Sequence, residues 1–172
     1  MGMRSIAVLA VMTTLLAVRA ASAQVPDNQE GWIPPPAKLV SDEWSTWRDE
    51  DPERFLRVHA DFDGDGEIDT AELLVSDRSD KYALFVVMSS SGRPGPIYKI
   101  DEVDDSRMVA RLGLSTVRPG TYWTVCKEII DCDPDEVTLR FEGIKFFLFD
   151  GAEGYFFWDP DIRAFQFAGI TD

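Results

Sequence analysis

Apolar and polar residues alternate with period two near the end of the chain, where Val137, Leu139 and Phe141 interleave with Thr138, Arg140 and Glu142. Successive side chains of a strand point to opposite faces, so this pattern predicts a strand with one face buried. Further apolar runs at residues 144–149, 155–158 and 164–167 are separated by turn-forming residues at 150–154 and 159–161, which predicts an antiparallel meander. Upstream, residues 55–60 and 71–75 predict strands on either side of an acidic stretch. Residues 71–88 read as a hairpin across the polar turn at 77–81. Residues 89–96, rich in Ser, Gly and Pro, read as a connection. Residues 97–100 and 108–114 read as strands flanking an acidic turn at 101–105, and Pro119-Gly120 turns the chain into a strand over 122–126. Val40, Trp44 and Trp47 share one side of a short helix that Ser41 or Asp42 can cap and that ends before Pro52. The predicted fold is mostly β, a single domain of short antiparallel strands over residues 41–172 with one short N-terminal helix. An extended Pro-rich arm over 24–40 precedes it.

The acidic stretch places Asp61, Asp63, Asp65 and Asp69 at alternating positions around Gly66, with Glu67 and Ile68 between the last two acids. Hard divalent cations such as Ca²⁺ take about six to eight oxygens, and a tight turn with acids at every second residue aims them at one centre. Asp61, Asp63 and Asp65 are the expected side-chain ligands, Glu67 supplies a backbone carbonyl, and Asp69 binds directly or through water. Gly66 permits the reversal because it lacks a Cβ. Asp-Gly stretches also occur as solvated turns, but a turn alone does not require alternating acids, a sixth-position Gly and an eighth-position Ile together. Without a cation the clustered carboxylates repel one another. Two flanks are compatible with the loop. A strand can follow it, or a helix can follow as in an EF-hand, where Glu72 at the twelfth position is the bidentate ligand. Against the helix stand the polar run at 76–80, the lack of an apolar stripe at helical spacing, and the absence of a second loop in the sequence.

Residues 1–23 carry Arg4, an apolar run from Ile6 to Val18 and Ala21-Ser22-Ala23 before Gln24, the pattern of a cleaved export signal. The run is shorter than the roughly 20 residues of a membrane span and is interrupted by Thr13 and Thr14. The expected location is therefore the periplasm or the medium, with no membrane anchor after cleavage. Loss of 23 residues from 172, Arg4 and Arg19 among them, leaves 149 and moves the net charge from −14 to −16. That balance argues against nucleic acid as a partner, because phosphate binding needs Lys and Arg clusters. Cys126 and Cys132, the two cysteines, are expected to pair in an oxidising compartment. A zinc site fails for want of ligands, His59 being the sole histidine. No nucleophile elbow, paired metal-binding histidines or phosphate-cradling glycine loop is present, so a non-enzymatic role is expected.

The stretch Ala60-Asp61-Phe62-Asp63-Gly64-Asp65-Gly66-Glu67-Ile68-Asp69, followed by Ala71-Glu72-Leu73-Leu74-Val75, resembles the calcium loop of FG-GAP and VCBS-type repeats, in which a strand follows the last ligand. Tyr122-Trp123-Thr124-Val125-Cys126, Gly143-Ile144-Lys145-Phe146-Phe147 and Tyr155-Phe156-Phe157-Trp158-Asp159 resemble segments of small exported bacterial proteins with one such loop. The resemblance implies a β-rich single domain with one structural Ca²⁺ and no enzymatic role. Such repeats recur as propeller blades, whereas one loop occurs here, so a full propeller is not expected. The aromatic segments offer a second reading, a platform for a glycan or protein partner formed by Tyr122, Trp123 and residues 155–158. Alternation places half of those rings inside.

Overall fold

The computed structural model describes residues 29–40, 48, 51, 53–129, 132–149 and 151–171. The export signal and most of the expected helix at 41–51 lie outside the described residues. Within the arm, β1 (Trp32–Ile33) pairs with a later strand, residues 34–36 carry no regular structure, and α1 (Ala37–Val40) is a single helical turn. The described part of the arm thus packs on the domain, and Val40 is buried in the main core.

The remaining strands are β2 (Arg57–Ala60), β3 (Asp69–Ser76), β4 (Tyr82–Ser90), β5 (Arg93–Val103), β6 (Leu112–Val117), β7 (Gly120–Trp123), β8 (Glu136–Leu139), β9 (Gly143–Leu148), β10 (Glu153–Asp159) and β11 (Ala164–Thr171). The first sheet runs β1-β3-β4-β5, with β2 also on β3, and the second runs β11-β10-β9-β6. The pairings within both are antiparallel, so the mostly β, single-domain expectation holds. Alternation supplies the contact between the sheets. Leu73, Leu84 and Val86 from the first sheet share one buried cluster with Leu112, Leu114, Ile144 and Phe156 from the second. Full burial of each such side chain stabilises by about 1.5–3 kcal/mol relative to exposure. The β7–β8 ribbon forms a third layer, in which Val137 and Leu139 cover Val117 and Tyr155. The predicted period-two run thus buries Val137 and Leu139 as expected, but the strand ends at Leu139, and Phe141 beyond it is half-buried.

Three sequence expectations are corrected. The connection expected at 89–96 is a two-residue turn at Ser91-Gly92, both with positive φ, and strand continues on each side of it. Pro94 and Pro96 are tolerated because β5 is an edge strand, where a missing N–H costs no ladder bond. The strand expected from Met108 starts only at Leu112. Asp105 accepts a hydrogen bond from the Arg107 N–H and starts a 3-10 helix over Ser106–Arg111 instead. The strand expected over 122–126 stops at Trp123, because Thr124 caps a second 3-10 turn over Val125–Glu128 through the Cys126 N–H.

The two sheets join at one corner. Phe55, at φ 66°, sends its carbonyl to the Leu114 N–H (2.7 Å), and the next carbonyl, of Leu56, accepts from Leu73 (2.9 Å). Beside that corner Arg48 is almost wholly buried. Its guanidinium donates to the carbonyls of Arg54 (2.9 Å), Val109 (3.3 Å), Ala110 (2.9 Å) and Leu112, and lies 5.0 Å from the Phe149 ring centroid. Burial pulls its pKa down to about 10, so it stays cationic at neutral pH.

Candidate metal site

β2 and β3 are antiparallel neighbours whose last pair is Ala60 and Asp69, so the acidic stretch is the connection of a hairpin. A strand stands on each side of it. The helix-flanked EF-hand alternative is therefore overturned, because residues 69–76 are consumed by ladder pairing to β2, β4 and β1.

Inside the loop, short-range hydrogen bonds aim the acids. Asp61 accepts from the N–H groups of Gly64 (2.7 Å) and Gly66 (2.9 Å), one on each oxygen. Asp63 accepts from Asp65 (3.2 Å) and Asp65 from Glu67 (2.8 Å). These are the local bonds by which Asp side chains favour turns, and here they orient successive carboxylates. Gly64 and Gly66 have φ of 80° and 89°. A Cβ on Gly64 would also fall 2.2 Å from the Phe141 ring, so that position excludes any side chain.

The result is a group in which ligand-capable oxygens of Asp61, Asp63 and Asp65 all lie within 4.8 Å of one another. With metal–oxygen bonds of about 2.3–2.6 Å, one calcium-sized ion can touch oxygens up to about 5 Å apart. The three carboxylates can thus hold a metal ion. Burial pushes the Asp63 pKa up, with the neighbouring charges of Asp65 and Asp61 adding to the rise. A cation at the centre would oppose that rise by favouring the charged carboxylates.

The other expected ligands stand differently. Asp69 is fully buried and outside that group. One of its oxygens accepts from the Phe62 N–H (2.9 Å) and the other from the Ser89 N–H on β4 (2.7 Å). Burial pushes its pKa up to about 6, although these two bonds pull the other way. The Glu67 carboxylate reaches the Gly92 N–H at the β4–β5 turn (3.3 Å). Glu72 sits three positions beyond Asp69 on β3, on the opposite face of the strand, and pairs with Arg57 across the ladder at 2.5 Å. It is not brought to the three aspartates.

Two contacts that no sequence pattern singled out fix the loop to the body of the protein. Phe62 is completely buried, 6.5 Å from the Phe165 ring of the second sheet, and Phe141 packs over Gly64. An aromatic residue between two aspartates was the only local sign of this anchoring.

Elsewhere, Cys126 and Cys132 form a disulfide with Cα atoms 4.8 Å apart, as expected of a chain in an oxidising environment. The aromatic segments divide between core and surface, so the alternative platform is not assembled as one face. Tyr155 and Phe156 are buried and Trp158 packs against Tyr98 and Phe165, whereas Trp123 is 52% exposed with the Lys127 ammonium 3.8 Å from its ring centroid. No family model, curated protein or solved structure matches the chain.

Proposed function

We propose that this is an exported, calcium-binding β protein whose ion is structural and whose role is binding rather than catalysis. The observation that carries the reading is the convergence of Asp61, Asp63 and Asp65 in a strand-flanked hairpin loop. All-oxygen, carboxylate-rich donors suit a hard cation. A spread of up to 4.8 Å suits Ca²⁺ better than Mg²⁺, whose bonds of about 2.0–2.1 Å would draw the oxygens closer. The Glu67 carbonyl and Asp69 are the next ligands in this proposal, and Glu72 is omitted from it. The strand that follows the loop supports retaining the FG-GAP and VCBS-type reading, and the disulfide supports a periplasmic or secreted location.

In this reading the ion offsets carboxylate repulsion and so couples metal binding to folding. Calorimetric titration of the intact protein tests it. One Ca²⁺ per chain is expected, with a dissociation constant on the order of 10⁻⁴ to 10⁻³ M, weaker binding of Mg²⁺, and loss of binding in Asp63→Ala. Absence of binding at several millimolar Ca²⁺ would overturn the proposal. Exposed Trp123 favours one second reading, in which a glycan or protein partner rests on that ring. Its test is tryptophan quenching that a ligand relieves.

A further inference from the structure

We propose that the cleft between the end of β7, the 3-10 turn at Val125–Glu128 and the end of β11 is a binding site for a neutral saccharide, with Trp123 as the ring on which a sugar stacks. The proposal rests on the exposed-ring reading above and names the ligand class for it. The cleft measures about 500 Å³, and Trp123, Lys127, Glu128, Ile129 and Ile170 line it. Small-ligand sites commonly span about 300–1,000 Å³, which suits a sugar ring or two rather than the surface of a protein. Its wall is fixed before any ligand arrives. Thr124 caps the turn, the Cys126–Cys132 bridge closes it, and Val125 lies against Gly169 of β11, where a Cβ would fall 3.3 Å from the valine. Groups held in place in advance lose less freedom on binding.

The side chains select the ligand. Trp123 stays half exposed even with the Lys127 ammonium against its ring, and Ile129 is exposed beside it. An open indole on a hydrogen-bonded ribbon offers flat apolar area. A pyranose matches that surface, because it presents C–H groups on its faces and hydroxyls around its rim. Lys127 supplies donors only and Glu128 acceptors only, and among the described residues neither is in an ion pair. A hydroxyl both donates and accepts, so a rim of hydroxyls serves both charges. Other ligand classes leave one group unserved. An anion meets Glu128 and a chain of net charge −14, a cation meets Lys127, and a wholly apolar molecule strips water from both charges without replacing it.

Calorimetric titration of the intact protein with neutral glucose and N-acetylglucosamine oligomers, beside a uronate oligomer of the same length, tests the proposal. Saturable binding of at least one neutral series is expected, with the uronate series weaker. Trp123→Ala should weaken binding by roughly tenfold or more, whereas Trp123→Phe, which keeps a flat ring, should retain most of it. Lys127→Met and Glu128→Leu should each weaken it by a smaller factor, and native circular dichroism of every variant shows that the fold is kept. No binding of any neutral oligomer at tens of millimolar overturns the proposal, as does tighter binding of the uronate series or binding that survives Trp123→Ala. Acrylamide quenching separates the two levels of failure. If Trp123→Ala leaves the quenching of the free protein unchanged, the exposed-ring reading itself fails. If the ring is quenched and no neutral oligomer shields it, the saccharide assignment alone fails.

Discussion

The molecule closes two of its connections by opposite means. Between β2 and β3, residues 61–68 are organised by carboxylate–amide bonds around a cluster of like charges, with Phe62 driven into the core. Between β7 and β8, the chain is closed by the Cys126–Cys132 disulfide, beside exposed Trp123 and Ile129. The first closure gathers three carboxylates that can hold a metal ion, and it is anchored to the body of the protein through Phe62, Asp69 and Phe141. The second is covalent and peripheral. A cross-link can stabilise where little is packed, whereas a loop of like charges without one is held here by its contacts with the interior.

Mutation can break this contrast at its strongest point. Phe62→Ala removes a fully buried ring and is expected to cost about 3–5 kcal/mol in urea unfolding, with calcium binding weakened because the loop loses its anchor. An effect under 1 kcal/mol would show that the loop is not wired to the core.

Next in size is removal of the ion. At a calcium concentration a hundredfold above the dissociation constant, chelation should remove about 2.7 kcal/mol, read as a fall in Tm, and Asp63→Ala should abolish the difference. The pH dependence has a definite sign. Burial raises the folded-state pKa of Asp69 to about 6, above the ordinary carboxylate range, so the folded chain holds that proton more tightly than the unfolded one. In the chelated protein this group's contribution is therefore present at low pH and lost as pH rises through about 6. On the proposed reading calcium competes with protons at the loop carboxylates. The calcium-induced gain in Tm should accordingly shrink as pH falls from 7 to 5, and a gain that is constant across that range would contradict the coupling.

Reducing the disulfide should cost about 2 kcal/mol in the chain-entropy estimate for so short a loop, yet leave calcium affinity unchanged. A change in affinity would mean that the two closures are not independent. The smallest effect sharpens the picture within the loop. Gly66→Ala, with open space around its Cβ, should cost about 1 kcal/mol from its positive φ alone, whereas Gly64→Ala meets Phe141 and should cost more. Thermal melts of the two variants give the order directly.

Much of this was legible in the sequence because the signal was local. Alternation at Val137 and Leu139 marked a half-buried strand, and the spacing of Asp61, Asp63 and Asp65 marked a turn that gathers oxygens. What was not legible depended on partners distant in the chain. Pro94 and Pro96 read as breakers because nothing local says that β5 lies at an edge. Met108 to Arg111 read as strand because the competing signal was a single capping acid, Asp105. Asp69 was expected as a ligand, and that its oxygens also hold Phe62 and Ser89 follows from β4 lying alongside, twenty residues downstream. Glu72 fitted a twelve-residue pattern until ladder pairing placed it beside Arg57.

Arg48 gives the architecture a polarity. Its four carbonyl acceptors cluster where β6 begins and β9 ends, while Phe141 and the acidic loop lie where β9 begins. One pole of the sandwich is knotted by a guanidinium of the chain itself, and the other gathers three carboxylates that can hold a metal ion. On the proposed reading, one pole is fastened from within the chain and the other only once a cation is supplied.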